Sequence, residues 1–426
     1  MTPDSILADA ADRFGTPCFV YDTGAIEARI VELAHAFEGR FALSYAVKSN
    51  PNPALLAWMV GRVDHLDISS IGEMRLALDA GWDAARISFT GPAKRREELR
   101  EAIAARIGLL IVESVAEARA ADAIAGAMGF LQPVAVRIAP DSVPRGFGDH
   151  MAGRPSPFGI DLEVADDALA EIRALPHLSL TGLHIYSATQ CLNAAALVDN
   201  YRGFIAIFES LCQRHDIAPE TLVFGSGLGI PYHDGDLPLD LKAVAAAIAP
   251  DLDRLTALPR FHSASLLLEL GRYLVGEAGT FLTRVVSVKQ SRGTRIAICD
   301  GGMNNHLPAS GHFGMVIRRN YRMHKVGDEG ATEKSDSEKV DIVGPLCTSI
   351  DRLASGIALP PLSEGDVIAV HQSGAYGLTA SPFHFISHAP PAELMLVDGE
   401  IYDVTRFFAH PTPIPADAAA PIRRSA

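Results

Sequence analysis

The order of apolar and polar positions divides this chain into two regions. From about residue 25, short apolar runs alternate with amphipathic, alanine-rich segments. Eight runs read as strands: FALSYAV (41–47), HLDIS (65–69), RISFT (86–90), GLLIV (108–112), PVAVRI (133–138), SLTGLHIY (179–186), TLVFG (221–225) and SASLLLEL (263–270). The segments between them place apolar residues at helical spacing, as in PALLAWMV and IGEMRLALDAG, the latter closed by Gly81. Eight strand-then-helix units predict a parallel (β/α)8 barrel of the TIM type, and a doubly wound sheet is the other arrangement the pattern permits. Beyond about residue 275 the period changes. TFLTRVVSVKQ, TRIAICDGG, KVDIVGP, DVIAVHQSGAYG and AELMLVDGEIYDVT alternate apolar and polar residues with turn signals between them. They predict a C-terminal antiparallel β domain, sandwich- or barrel-like, that TPCFVYD near the N-terminus joins. The expected division is 25–272 for the barrel, and 1–24 with 273–426 for the β domain. GDEGATEKSDSEK (327–339) reads as an exposed loop or hairpin tip, and AHPTPIPADAAAPIRRSA (409–426) as a frayed tail.

Composition narrows the function. The chain has 426 residues, 48% of them hydrophobic, which suits two domains. A formal net charge of -14 argues against a general nucleic-acid role. The five cysteines, Cys18, Cys191, Cys212, Cys299 and Cys347, are scattered and form no CxxC pair. They read as reduced thiols of a cytoplasmic protein, without a zinc site or disulfide framework. No basic leader precedes an apolar core at the N-terminus, and no apolar run reaches membrane-spanning length, so neither a signal peptide nor a membrane partner is expected.

In a (β/α)8 barrel the chemistry gathers at the C-terminal ends of the strands. Those ends carry Lys48, Asp67, His184, Tyr186, the glycine cluster GSGLG (225–229) and Glu269. Each has an ordinary reading: a surface amine for Lys48, a plain loop for GSGLG, a satisfied core carboxylate or a partner of Arg272 for Glu269, packing for Tyr186. Together they suggest a phosphate-bearing cofactor held through a Schiff base. Lys48 is the candidate for that bond, which removes the charge that makes a lysine costly to bury. Backbone N–H groups of the glycine cluster suit a phosphate. Glu269 suits a pyridine nitrogen that it keeps protonated, and Tyr186 a ring face.

From TPCFVYD to GAYGLTAS the chain resembles the fold-type III pyridoxal-phosphate decarboxylases, the family of diaminopimelate and ornithine decarboxylases. YAVKSNPN resembles the family's cofactor-lysine motif. FGSGLGIPY resembles its phosphate loop, with Ser226 between Gly225 and Gly227 where glycine is usual. ELGR resembles EPGR, with Leu270 for proline. The resemblance implies pyridoxal 5'-phosphate as cofactor, with Glu269 on the ring nitrogen, and Gly271, Arg272 and Tyr376 on the phosphate side. Asp67 joins the cofactor-binding set. Asp300 of CDGGMN lies toward the substrate, as do Thr348 and Asp351 of GPLCTSID. The resemblance further implies a homodimer in which Cys347 of GPLCTSID reaches the neighbouring subunit's site, where it is the candidate donor of a proton to Cα, with Lys48 or water as alternatives. No metal is implied.

Two departures bear on function. Where the family has HxGSQ, this chain has YSATQ (186–190), so Tyr186 or else His184 stacks on the ring, and Thr189 stands for serine. After Cys347 the family carries an acidic residue that reads the substrate's distal end, and here it is Thr348. A distal ammonium facing only a hydroxyl lacks its partner, so a conjugated or neutral-tailed amino acid is expected. DGGMNNHLPASGHFGMVIRRNYRM and GPLCTSIDRLA resemble the exosortase-system-associated and butirosin-pathway decarboxylases. The butirosin enzyme acts on an aminoacyl unit tethered to an acyl carrier protein. Arg318, Arg319, Arg322 and Lys325 of IRRNYRMHK (317–325) suit either an acidic carrier or a solvated, ion-paired strand. The competing readings are a free amino-acid decarboxylase acting on diaminopimelate, an amino-acid racemase and a non-catalytic cofactor-binding protein.

Overall fold

The computed structural model describes residues 2–313, 318–328 and 337–405. Most of GDEGATEKSDSEK, all of the 409–426 tail and Ile317 of the basic stretch lie outside the described residues. The chain divides into two compact units. One comprises Ile30–Gly229 and Pro238–Gly271; the other takes the described residues up to Arg29, Ile230–Leu237 and the described residues from Arg272 to Thr405.

The first unit is a closed parallel barrel. Its strands are β1 (Ala42–Ala46), β2 (His65–Ile68), β3 (Ile87–Phe89), β4 (Leu109–Val112), β5 (Gln132–Ala139), β6 (Leu178–Ile185), β7 (Thr221–Gly225) and β8 (Ser265–Leu270). Each pairs in parallel with the next, and β8 closes on β1 through Leu267–Ala42 to Leu270–Tyr45. All eight apolar runs are strands, and the doubly wound alternative is excluded. The runs are uniformly apolar because parallel strands are covered on both faces. Leu109, Ile111, Ala135, Val223 and Leu267 pack as one buried cluster contributed by β4, β5, β7 and β8. Helix starts are marked by side-chain caps: Ser70 accepts from the Glu73 amide, Ser114 from that of Glu117 and Asn193 from that of Ala196. PALLAWMV yields the helix Pro53–Met59, and IGEMRLALD the helix Ile71–Asp79, followed by Gly81 at φ +93°.

The second unit is built on a sheet whose central strand, Gly279–Ser291, changes neighbours along its length. Its first half pairs antiparallel with both Cys18–Asp22 and Val367–Val370; its second half, past a register shift at Val285/Ser287, pairs with Thr294–Cys299. TPCFVYD therefore does join this sheet. Most of its pairs are antiparallel, as expected, and two are parallel. Cys18–Asp22 runs parallel to Ala392–Val397, and Thr294–Cys299 runs parallel to Glu338–Val343. A period of two reports which face is buried, and carries no information on partner direction. Turns are more legible. DG at Asp398–Gly399 and RG at Arg292–Gly293 both take two positive φ values, as two-residue hairpin turns require. The helix Asp4–Phe14 lies on the sheet and buries Leu7 and Ala10 against Val20, Leu282 and Leu394. Among the described residues no helix is long and apolar enough to cross a membrane.

Candidate active site

At the C-terminal end of the barrel, four strands deliver titratable groups to one place. Lys48 lies in the single turn Val47–Ser49 that ends β1, Asp67 near the end of β2, His184 near the end of β6, and Glu269 near the end of β8. Nζ of Lys48 is 3.7 Å from Oδ2 of Asp67 and 3.6 Å from Oε1 of Glu269. Both carboxylates are buried, whereas 39% of the lysine side chain is exposed, so the cluster opens outward at the amine. Asp67 is braced from the next strand by Ser88 Oγ at 3.0 Å, and Thr90 Oγ1 donates to the same oxygen. Burial, and then the neighbouring Glu269, push Asp67 up to about 7. Burial alone would also raise Glu269. Lys48, the His184 hydrogen bond and Arg137 outweigh it and draw Glu269 down to about 2.

Tyr186 follows β6 and sits against the end of β7. Its ring lies with the Lys48 amine 5.9 Å from the centroid. A Cβ on Gly225 would stand 2.3 Å from Tyr186 Cδ2, so this position requires glycine. Gly227, at φ +67°, has Phe147 Cε1 at 2.7 Å from a would-be Cβ. The glycine segment is tied to the 186–191 loop, with Cys191 N–H donating to Gly227 O (2.9 Å) and Gly229 N–H to Cys191 O (3.0 Å). The Ser226 side chain is buried, and its amide donates to Glu269 O at 3.1 Å. Thr189 pairs in register with Asp149 of the long β5 connection. Gly271 approaches Ser49 so closely that a Cβ would be 3.1 Å from it.

The remaining expected residues belong to the second unit. Arg272 donates to Tyr232 Oη at 2.6 Å, with its guanidinium 5.4 Å from the Tyr232 ring and 5.0 Å from that of Tyr376. Its buried Nε has no hydrogen-bond partner among the described residues. Tyr376 holds φ +59°, a left-handed conformation uncommon outside glycine. Asp300 accepts from Thr16 Oγ1 (2.5 Å), Thr283 Oγ1 (2.9 Å) and the Arg284 amide (2.8 Å). Asp351 accepts from the Met303 amide (2.6 Å) and the Leu346 amide (2.8 Å), fastening CDGGMN to GPLCTSID. Both carboxylates are thus engaged within their own unit. All five cysteines are free, and only Cys347 is exposed. The basic stretch is largely ion-paired. Arg319 meets Asp236 at 2.8 Å, Arg322 meets Asp234 at 3.8 Å, and Lys325 meets Asp366 at 3.0 Å. Arg318 donates to the Arg352 carbonyl, and Met323–Lys325 is strand.

The geometry also supplies groups that the sequence reading passed over. Ser88 and Thr90 are two. Arg137 on β5 and Glu113 after β4 form a buried pair at 3.2 Å. Each is a charge beside or within a buried apolar run, a costly placement that could have marked both.

The family model for the pyridoxal-dependent decarboxylase, pyridoxal binding domain, matches residues 23–276. The chain belongs to this family. It is 33% identical over 401 residues to the L-glutamyl-[BtrI acyl-carrier protein] decarboxylase of Niallia circulans, covering 92% of this chain and 91% of that protein. It is 31% identical over 399 residues to the diaminopimelate decarboxylase of Vibrio cholerae, covering 92% and 90%. The crystal structure of Helicobacter pylori diaminopimelate decarboxylase complexed with L-lysine superposes with a TM-score of 0.82 at 26% identity, covering 93% of this chain and 95% of that one. The protein is therefore a pyridoxal-phosphate-dependent amino-acid decarboxylase. The residues in place fit that cofactor. A lysine opens outward from two buried carboxylates, and a glycine cradle admits no side chain beside Tyr186.

The raised Asp67 has a measurable consequence. Its folded value of about 7 exceeds its ordinary 3.8, so the native state holds this proton more tightly than the unfolded chain. Its contribution to stability therefore falls as pH rises through that interval. Asp67→Asn removes the charge and keeps an acceptor for Ser88 and Thr90. Denaturant unfolding of the cofactor-free protein should show the variant gaining on wild type between about pH 5 and about pH 8. A pH-independent difference between the two would contradict the assignment.

Proposed function

We propose that this decarboxylase acts on an amino acid whose distal end is conjugated or tethered to a carrier protein, in preference to a free basic amino acid. The observation that carries the reading is the fate of the carboxylate in GPLCTSID. Asp351 is the segment's one acidic residue, and backbone amides take both of its oxygens. Thr348, beside the exposed Cys347, offers only a hydroxyl. A distal ammonium desolvated beside that hydroxyl would gain one neutral hydrogen bond from it. The relative that acts on L-glutamyl-[BtrI acyl-carrier protein] supports a tethered substrate. Arg319, Arg322 and Lys325 are already ion-paired and carry no part of this reading.

Pyridoxal phosphate, when bound, supplies the electron sink that lets an α-carboxylate leave as carbon dioxide. Lys48 is the proposed anchor, Tyr186 the proposed face against the ring and Glu269 the group opposite the ring nitrogen. His184, bonded to Glu269 through Nε2, is the alternative for the ring face. The amides around Gly225, Ser226 and Gly227, with Thr189 and Gly271, are proposed for the phosphate. Each residue's task follows from its setting. Glu269 remains anionic and can hold a proton on a nitrogen facing it. Asp67 and Glu269 orient the Lys48 amine between them. A thiol can deliver a proton to Cα, and the exposed Cys347 is the proposed donor, acting from a second copy of the chain in a homodimer. Free thiols throughout suit a reducing, cytoplasmic location.

The substrate test compares kcat/KM for meso-diaminopimelate, lysine and ornithine with that for glutamyl and other acyl conjugates, free and carrier-bound. A charged hydrogen bond contributes about 1.5–3 kcal/mol against about 1 for a neutral one, so conjugates should lead by roughly tenfold or more. Efficient turnover of diaminopimelate, with no gain on any conjugate, would restore the free amino-acid reading. For the shared site, mixing Lys48→Ala with Cys347→Ala protein should recover part of the lost activity, and Lys48→Ala alone should retain no borohydride-trapped cofactor. No recovery despite proven subunit exchange would sink the shared site, and a trapped adduct on Lys48→Ala would reassign the anchor.

A further inference from the structure

His184 lies beside Arg137 of β5, its partner in strand register, and beside Val223 of β7 on the other side. Its imidazole is buried, with Nε2 3.0 Å from Oε2 of Glu269. An ionised carboxylate only accepts, so Nε2 carries the proton and donates it. The other ring nitrogen, Nδ1, is buried with no hydrogen-bond partner among the described residues. A lone pair is tolerable there. A second N–H would be an unpaired buried donor on a cation, next to a strand that carries a guanidinium.

That guanidinium is itself fixed. Arg137 meets both oxygens of Glu113 at 3.2 Å, and Glu113 also accepts from the amides of Gly91 (2.7 Å) and Gly159 (2.9 Å). The charged groups facing the imidazole are thus Glu269 from β8, Arg137 from β5 and Glu113 beyond β4, with Lys48 and Asp67 on the far side of Glu269. Burial, reinforced by Arg137, holds His184 below the usual imidazole range against the pull of Glu269 and Glu113. The two oxygens of Glu269 are divided: Oε1 faces Lys48, and Oε2 faces His184. Once the lysine is engaged with the cofactor, the imidazole is the partner left to hold this carboxylate.

We propose that His184 is a positioning residue: as a neutral imidazole protonated on Nε2, it fixes the orientation of the Glu269 carboxylate and keeps it anionic, while Arg137 on the adjacent strand bars a second proton. The inference rests on the reading of Glu269 as the group that faces the ring nitrogen. It assigns His184 no contact with substrate and no part in proton transfer. Its effect is on the charge that Glu269 presents.

The test uses holoenzyme reconstituted with cofactor labelled with 15N in the ring, and reads the ring-nitrogen signal by NMR beside kcat and KM. Four proteins are compared: wild type, Glu269→Gln, His184→Gln and His184→Leu. Glu269→Gln should shift the signal toward the unprotonated ring. His184→Gln retains an N–H donor at a similar reach and does not titrate, so it should keep the wild-type signal. His184→Leu should move the signal toward that of Glu269→Gln and lower kcat by about 10- to 100-fold, with KM changed by less than about threefold. Should His184→Leu fail to fold, His184→Asn, whose amide falls short of Oε2, carries the same expectation. A folded His184→Leu or His184→Asn protein with the wild-type ring signal and kcat would overturn the proposal while leaving the role of Glu269 intact. An unchanged signal in Glu269→Gln would overturn that role, and the proposal with it.

Discussion

Two carboxylates buried within reach of one lysine set the terms for the barrel's C-terminal end. Removing a charge from water costs several kcal/mol unless hydrogen bonds and counter-charges replace the solvent. Here the replacements come from different strands. Ser88 and Thr90 serve Asp67, His184 serves Glu269, and Lys48 faces both. Only a closed sheet brings β1, β2, β3, β6 and β8 around one axis, so the site depends on closure between β8 and β1. The same crowding explains Gly225. Tyr186 takes the space a side chain would need, and the backbone after β7 gains a smooth surface beside the amine.

The asymmetry between the carboxylates is what suits the arrangement to decarboxylation. Glu269 has a lysine, a histidine and the field of Arg137, and stays charged. Asp67 has hydroxyls and a share of the lysine, and is pushed up by burial and by Glu269 itself. Neighbouring acids with values driven apart can do different tasks. An anion facing a pyridine nitrogen favours a protonated, electron-withdrawing ring. A racemase benefits from the opposite arrangement, and the family match is to decarboxylases.

Much of this was legible in the chain. A strand covered on both faces must be apolar throughout, so the eight barrel strands stood out as runs, and Lys48, Asp67, His184 and Glu269 stood out as polar interruptions at their ends. Sheet direction was not legible, because Cys18–Asp22 alternates in the same way whether its neighbour runs with it or against it. Arg137 and Glu113 were missed because their pairing joins different strands, and neither residue declares a partner locally. The partners of Asp300 and Asp351 were not legible either: Asp300 accepts from the Thr16 and Thr283 hydroxyls and the Arg284 amide, and Asp351 from the Met303 and Leu346 amides. The ion pairs of the basic stretch are not legible from its own residues. Asp234 and Asp236, which neutralise Arg322 and Arg319, lie far away in sequence.

The central claim is that this cluster serves removal of an α-carboxylate followed by return of a proton to the same carbon. Turnover in D2O of a substrate labelled with 13C in the α-carboxylate, followed by mass spectrometry of gas and product, tests it directly. The expected result is labelled carbon dioxide with a single deuterium on the product's Cα. Deuterium at Cα of an amino acid that keeps its labelled carboxylate, with no labelled gas, would contradict the account.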